Sequence, residues 1–159
     1  MNKYTLGIIG IIIIVFLGFA VNTSNDKKIE KNRQVASVVS VDQGSYDFGD
    51  IDIFGGKVSV DYIIKNEGNE DVQITSAITS CMCTSGEIGN MKFGMHSATG
   101  GRVTIPAGGQ EVLTATFDPL AHGPDATGKI KRELTLTTDS TKTPELTVYL
   151  SANVVKNEQ

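Results

Sequence analysis

From residue 36 onward, apolar residues recur at every second position in short runs that are separated by turn signals. The clearest runs are residues 58–64 and 146–154, in which an apolar residue alternates with a mostly polar one. Because successive side chains of a strand point to opposite faces, this spacing predicts strands with one buried face. No segment of useful length in this region shows a helical period. The sequence therefore predicts an all-β fold.

About seven short strands at this spacing are typical of an antiparallel β-sandwich. Turn residues at 66–69 and 106–109 separate neighbouring strands. Phe48 and Phe117 are the aromatic residues expected in the core. The predicted strands are residues 38–41, 46–51, 58–64, 72–78, 102–105, 112–118, 133–138 and 145–154.

The first 21 residues are predicted to lie outside this domain. After the short basic start at residues 1–3, the 18 residues from Tyr4 to Val21 carry no charge. As a helix they would span about 27 Å, close to the hydrocarbon thickness of a bilayer. Gly18 to Ala20 would serve as a cleavage site, but the apolar run is long for a cleavable signal peptide. We therefore predict an uncleaved signal anchor, that is, one N-terminal transmembrane helix.

The location of the domain relative to the membrane rests on two opposing patterns. Four basic residues between positions 27 and 33 follow the anchor, and the positive-inside rule alone would place the domain in the cytoplasm. A polar linker, a β-rich domain and a close cysteine pair suit an extracytoplasmic setting instead. We predict a single-pass membrane-anchored protein with its domain on the extracytoplasmic side, at the cell surface or in the periplasm. The predicted segments are residues 1–21 as signal anchor, 22–35 as polar linker, 36–155 as β-sandwich domain and 156–159 as disordered tail.

Charge and motifs exclude several classes of function. Residues 36–159 carry 9 Lys and Arg against 16 Asp and Glu, a net charge of −7. A nucleic-acid-binding domain presents a basic face, so no nucleic-acid partner is expected. The sequence contains no recognisable arrangement of nucleophile, base and acid, and no glycine-rich phosphate loop before a helix. We expect no enzymatic activity.

Both cysteines of the chain, Cys81 and Cys83, follow the predicted strand 72–78 and are two residues apart. In an extended backbone residues i and i+2 share a face, so the two sulfurs are expected side by side. The segment 84–102 that follows is rich in Gly, Ser and Met and is expected to be an irregular loop. A loop of that length in a compact domain usually has a functional reason.

Soft metal ligands occur in and around this region. Thiolate, thioether and imidazole together favour copper(I), with zinc as the second choice. Two of these ligands lie in the segment 84–102, and a histidine lies in a second predicted loop at residues 119–128. The candidate metal ligands are Cys81, Cys83, Met95, His96 and His122.

Two other interpretations of the same residues remain open. Met91 and Met95 are also suited to filling gaps in a core, and the histidines to a solvated surface. A disulfide between Cys81 and Cys83 would close a small ring and be readily reduced, which suits thiol–disulfide exchange. No Cys-x-x-Cys motif at a helix N-terminus is present to activate a thiol in the usual way.

Five short motifs occur in order along the predicted domain: Tyr46-Asp47-Phe48-Gly49, Lys65-Asn66-Glu67-Gly68, Ser80-Cys81-Met82-Cys83-Thr84, Ile105-Pro106-Ala107-Gly108 and Phe117-Asp118-Pro119. This set resembles the bacterial DUF1573 family, a family of unknown function. The resemblance covers about residues 44–155. It implies an immunoglobulin-like sandwich, similar to the Hydin and major-sperm-protein domains, that is exported or membrane-anchored. The chain departs from the family pattern at Met82, where relatives carry glycine, and at Gly109, where they carry an acidic residue.

A tethered sandwich of this kind is suited to binding, because its strand edges and loops are available to another protein. We therefore predict an interaction module that reaches the membrane through its N-terminal helix and another protein through a sheet edge or loops. Soft-metal binding and thiol–disulfide redox activity are the two alternatives.

Overall fold

Two β-sheets face each other in the part of the chain that the computed structural model describes, residues 35–157. The predicted anchor, the linker up to residue 34 and residues 158–159 of the predicted tail lie outside the described residues. None of the structure within 35–157 is a helix that could cross a membrane. The strands are β1 (Val39–Val41), β2 (Ser45–Asp52), β3 (Val58–Asn66), β4 (Val72–Thr79), β5 (Thr84–Ile88), β6 (Met91–Phe93), β7 (Ala98–Thr99), β8 (Val103–Ile105), β9 (Gln110–Phe117), β10 (Gly128–Thr138) and β11 (Glu145–Val155).

The all-β sandwich predicted from the sequence is confirmed, with two corrections. One sheet has the order β1-β3-β9-β5-β6-β7 and the other β2-β11-β10-β4-β8, so the described residues form eleven strands rather than about seven. The sandwich is not wholly antiparallel, because β2 runs parallel to β11. This parallel pair is possible because β2 and β11 lie far apart in sequence and no hairpin has to connect them.

A single apolar core fills the space between the sheets. The alternating residues of β3 and β11 face it as their spacing predicts, with Tyr62 and Leu150 among the buried side chains. Phe117 is buried and Phe48 is partly buried against the same core. Val35, at the end of the predicted linker, is also buried and pairs with Ser140.

The segment 84–102 is not the irregular loop that its composition suggested. Residues 84–93 form the hairpin of β5 and β6 around the turn Gly89–Asn90, and β7 pairs with β6. The prediction was wrong because glycine and serine have low strand propensity, whereas here the alternate residues Ile88, Met91 and Phe93 fill the core. Gly86 allows this packing, since the Phe93 ring lies directly against it.

A register shift in β4 determines how the chain leaves this strand. Val72 and Ile74 are buried, but the buried positions then change phase to Ala77 and Thr79. The change coincides with an irregularity in the pairing of β10 with β4, at Thr137/Thr138. As a result Ile78 faces solvent, and Thr79 faces inward at the point where the chain crosses to the other sheet.

Candidate functional site

Cys81 and Cys83 lie in the turn that carries the chain from β4 in one sheet to β5 in the other. The Thr84 amide donates a hydrogen bond to the Cys81 carbonyl at 3.1 Å, which closes the turn. The extended backbone predicted for this pair is therefore wrong, because a change of sheet requires the chain to bend. The bend brings the Cα atoms to 5.2 Å, and the two residues form a disulfide.

Buried Thr79 stabilises this turn from the core side. Its hydroxyl contacts the carbonyls of Cys81 at 2.9 Å and of Thr84 at 3.1 Å, so it bonds to both ends of the turn. The adjacent Ser80 is fixed to β10 by hydrogen bonds with the Glu133 backbone. The disulfide is therefore mounted on strand ends rather than on a free loop, which positions it precisely relative to β10.

Arg132 of β10 contacts the inner sulfur. Its Nε donates a hydrogen bond to Cys83 Sγ at 3.1 Å, and the Thr84 hydroxyl lies 3.7 Å from the same sulfur. Arg132 lies on the same face of β10 as Leu134 and Leu136 and is partly buried. Cys83 is only 2% exposed, so its sulfur meets a guanidinium inside the protein rather than water.

His122 contacts the outer sulfur. Its loop begins at Asp118, whose amide donates to the Cys83 carbonyl at 2.9 Å, so the end of β9 is fixed beside the cysteine turn. Further turns at 118–123 then bring the exposed imidazole back, with Nε2 3.2 Å from Cys81 Sγ. Cys81 itself is half-buried. The two sulfurs thus differ in both exposure and neighbour.

Three candidate metal ligands come together in this arrangement. The Cys81 and Cys83 sulfurs and a His122 ring nitrogen all lie within 4.8 Å of one another, and within residues 35–157 this is the group of His, Cys, Asp and Glu side chains close enough to share an ion. Thiolates and an imidazole fit a soft cation such as copper(I). Binding would first require the disulfide to be reduced, because the metal ligand is the thiolate.

The other two predicted ligands, Met95 and His96, are exposed in the turn between β6 and β7. This turn lies beside the end of β4, since the Thr79 amide donates to the Gly94 carbonyl at 3.2 Å. His96 is not one of the three grouped ligands, and a role for Met95 and His96 in a metal site stays a prediction. Met91 is buried in the core.

Sequence reasoning missed Arg132 and Thr79. Both lie on the core-facing side of a strand, Thr79 at the end of β4 and Arg132 inside β10, and both contact the cysteine turn. The available signal was an arginine in phase with Leu134 and Leu136, because a charge at a core-facing position needs a partner. The partner of Arg132 is the Cys83 sulfur. This contact depends on how the strands pair, which the sequence alone did not reveal.

Exposed apolar side chains lie on segments that adjoin the disulfide turn. Met82, between the cysteines, is 70% exposed, Leu120 in the His122 loop is 45% exposed, and Met95 is 43% exposed. The three segments that carry them are joined by the hydrogen bonds from the Thr79 amide to Gly94 and from the Asp118 amide to Cys83. We call this surface, defined by Met82, Met95 and Leu120, the methionine end of the sandwich.

Comparisons with solved structures identify relatives of the fold. A protein of unknown function from Porphyromonas gingivalis W83 is 16% identical, with a TM-score of 0.60 over 81% of this chain and 51% of that one. A family 123 glycoside hydrolase from Clostridium perfringens is 9% identical, with a TM-score of 0.57 over 79% of this chain and 28% of that one. The ASH/PapD-like domain of human CEP192 is 17% identical, with a TM-score of 0.48 over 76% and 87%.

At these identities the likeness concerns the fold alone, and this chain spans about half the length of the Porphyromonas protein. No curated protein sequence matches the chain. A profile of the family described as protein of unknown function (DUF1573) matches residues 39–154, which is nearly all of the sandwich and well over half of the chain. The resemblance inferred from the five motifs is confirmed, and the chain belongs to the DUF1573 family.

Proposed function

We propose that this protein is a membrane-tethered, extracytoplasmic interaction module without enzymatic activity, and that it binds another protein through the methionine end. The observation that most favours this surface is that three segments joined by hydrogen bonds each carry an exposed apolar side chain. Clustered apolar exposure marks protein interaction sites, and flexible methionine side chains adapt to a partner's shape.

The longest edge strand, β2, is less suited to binding a partner than the methionine end. β2 lies at one end of its sheet and carries Asp47, Asp50 and Asp52. Charged residues on an edge strand discourage the addition of another strand. Loops at the end of the sandwich are therefore the better candidate than β-strand addition.

The tether and the location are supported by the sequence. The charge-free run from Tyr4 to Val21 is long enough to span a bilayer, and the polar segment after it would separate the domain from the membrane surface. A disulfide between Cys81 and Cys83 fits an oxidising compartment outside the cytoplasm. The partner we propose is accordingly a protein on the extracytoplasmic side of the same membrane.

Site-specific photo-crosslinking in intact cells tests the binding surface. A photoreactive amino acid at position 82 or 120 of the full chain should give adducts with another protein. The matched control for position 120 is position 112, because Val112 is 42% exposed, close to the 45% of Leu120, but lies in the middle of the six-stranded sheet. Adducts of the same size from position 112, or none from 82 and 120, would contradict the proposal.

A second candidate function, soft-metal binding, is favoured by the cluster of Cys81, Cys83 and His122. Two thiolates and one imidazole satisfy the low coordination number of copper(I), and zinc would need a fourth ligand. We propose that the reduced form of the pair holds one such ion, with the buried Cys83 shielding it from water.

Metal binding is tested with the full chain in detergent, reduced and titrated with copper(I) against a competing chelator. About one ion per chain should bind, and Cys81→Ser/Cys83→Ser should abolish binding. His122→Ala should weaken it, and Met95→Leu and His96→Ala are also predicted to do so. Asp125→Asn, a change in the same loop as His122, is the control and should have no effect. Equal copper retention by the double-serine variant would eliminate this function.

A further inference from the structure

We propose that the Cys81–Cys83 disulfide is a thiol–disulfide exchange site that accepts two electrons from a dithiol of a partner protein, with Cys81 as the sulfur attacked and Cys83 as the leaving sulfur. This inference rests on the proposed binding surface in one respect, that the partner approaches the methionine end. The chemistry itself rests on the contacts of the two sulfurs.

The two sulfurs are not equivalent to an incoming thiol. Cys83 is 2% exposed, whereas Cys81 is half-buried and adjoins the exposed His122 ring. Thiol–disulfide exchange depends on which sulfur the attacking thiolate can reach. Cys81 is therefore the accessible electrophile, and the apolar side chains of Met82 and Leu120 lie on segments that border the approach to it.

The environment of Cys83 suits a leaving group. When the disulfide opens, negative charge develops on the Cys83 sulfur, which already accepts the hydrogen bond from Arg132 Nε at 3.1 Å. A hydrogen bond from a guanidinium to an anion is stronger than one to a neutral acceptor. Arg132 is held in this position by its inward place on β10 and by a second bond from Nη1 to the Lys131 carbonyl. The hydrogen bond from Arg132 thus stabilises the Cys83 thiolate more than it stabilises the intact disulfide.

His122 is placed to handle the proton. The imidazole near Cys81 takes the proton of the attacking thiol, and the resulting thiolate forms a bond to Cys81 Sγ. The Cys81–Cys83 bond breaks at the same time, and its electron pair leaves on Cys83. The partner's second thiolate then attacks the partner sulfur of the mixed disulfide and releases Cys81, which recovers the proton from His122.

The complete reaction exchanges one disulfide for another. The partner dithiol is oxidised to a disulfide, and Cys81 and Cys83 are reduced to two thiols. Two electrons and two protons move, one proton through His122 and the other from the partner's second thiol to Cys83 directly or through water. The partner dithiol is the only reductant required.

The test uses the full chain in detergent, isolated without reductant, and glutathione as the probe thiol. Alkylation before treatment should label neither cysteine. Brief exposure to glutathione, acid quenching and mass spectrometry should then find glutathione on Cys81 and not on Cys83. Free alkylation of both cysteines before treatment, or glutathione on Cys83 or equally on both, would overturn the proposal.

Rates of reduction test the role of Arg132 as a positioning residue. Arg132→Gln should slow the reaction with glutathione about ten-fold, as expected for loss of one charge-assisted hydrogen bond. Lys129→Gln removes a charge from the same strand at an exposed site and should not change the rate. Arg132→Lys should restore part of the rate. A rate for Arg132→Gln equal to that of the wild type, with thermal unfolding confirming a folded protein, would overturn the assignment.

The two proposals can fail separately. If glutathione reacts at Cys81 but photo-crosslinking at positions 82 and 120 gives no adduct, the exchange chemistry stands and the binding surface is wrong. If crosslinking succeeds while glutathione shows no preference for Cys81, the binding surface stands and the exchange site is wrong.

Discussion

At the scale of single residues, a few buried polar groups connect segments that are distant in the chain. Asn66, at the end of β3, is 1% exposed. Its Nδ2 donates to the carbonyls of Glu70, Ile105 and Pro106, and its Oδ1 accepts from the Gly68 amide. One side chain thus joins the turn after β3 to the turn after β8, which explains why an asparagine occupies a core-facing position.

Removing the Asn66 amide should destabilise the domain strongly. Asn66→Ala removes the side-chain donor to three carbonyls and the acceptor of the Gly68 amide, and we expect a loss of about 2–3 kcal/mol in the free energy of unfolding. The control is Asn153→Ala, which removes an exposed hydrogen bond to Asp50 and should cost less than about 1 kcal/mol. Urea unfolding of both variants measures the difference. Equal losses would show that Asn66 does not connect the two turns energetically.

Because Tyr62 is buried, the free energy of unfolding should decrease at alkaline pH. Burial raises its pKa from 10.0 to about 12, because the charged phenolate would be poorly solvated, and its hydroxyl donates to the Tyr149 carbonyl at 2.5 Å. In the unfolded chain the phenol ionises near pH 10, so the unfolded state binds fewer protons than the folded state between pH 10 and 12. Stability is therefore full below pH 10 and falls through this window, by about 2–3 kcal/mol.

The Tyr62 effect is isolated by comparison with Tyr62→Phe, which cannot ionise. Other tyrosines and lysines titrate in the same range, so the informative quantity is the difference in unfolding free energy between wild type and variant at each pH. This difference should shrink or reverse from pH 9 to pH 12. A difference that stays constant with pH would contradict the assignment.

At the scale of the strands, the period-two pattern predicted long strands well and short ones poorly. β3 and β11 have unbroken alternation, and their predicted core faces are the observed ones. β5 to β7 were missed because their glycines and polar residues lack strand propensity. They become strands only because β5 pairs with β9, β6 with β5 and β7 with β6. The phase change in β4 was also beyond prediction, because a bulge is a property of a pair of strands.

The candidate site was likewise predictable only where it depends on local sequence and not on the pairing of strands. Adjacency in sequence predicted that Cys81 and Cys83 would meet, and a loop histidine made His122 a candidate. The contacts of Arg132 and Thr79 arise where β4 ends and β5 begins, beside the middle of β10. No local pattern encodes such a meeting of strand ends.

The β5–β6 hairpin provides a matched pair of glycine substitutions. A Cβ atom on Gly86 would overlap the Phe93 ring, whereas one on Gly94 would meet nothing within 4 Å. Gly86→Ala should force the ring from its place in the core and cost about 1–3 kcal/mol. Gly94→Ala should be nearly neutral. Thermal unfolding compares the two, and similar melting temperatures would contradict the packing of Phe93 on Gly86.

At the scale of the whole molecule, the chain combines a proposed membrane anchor with a sandwich that has its own core. Full-length protein should fractionate with membranes, because the run from Tyr4 to Val21 is apolar throughout. Residues 36–159 expressed alone should remain in the soluble fraction. Recovery of mature protein that starts near residue 21 would show cleavage. Protection from added protease in intact spheroplasts would place the domain in the cytoplasm.

In the mechanism proposed above, the methionine end binds a partner and exchanges a disulfide with it through Cys81. Single-serine variants in intact cells, acid-quenched and run on non-reducing gels, test this most directly. With Cys83→Ser, the Cys81 thiolate can attack the disulfide of the oxidised partner, which is the reverse of the last proposed step, and one partner thiol is released. Because Cys83 is absent, this mixed disulfide cannot go on to form the Cys81–Cys83 bond, so a covalent complex with another extracytoplasmic protein should accumulate. With Cys81→Ser, the buried Cys83 should form none. A complex from both variants alike, or from neither, would contradict the account.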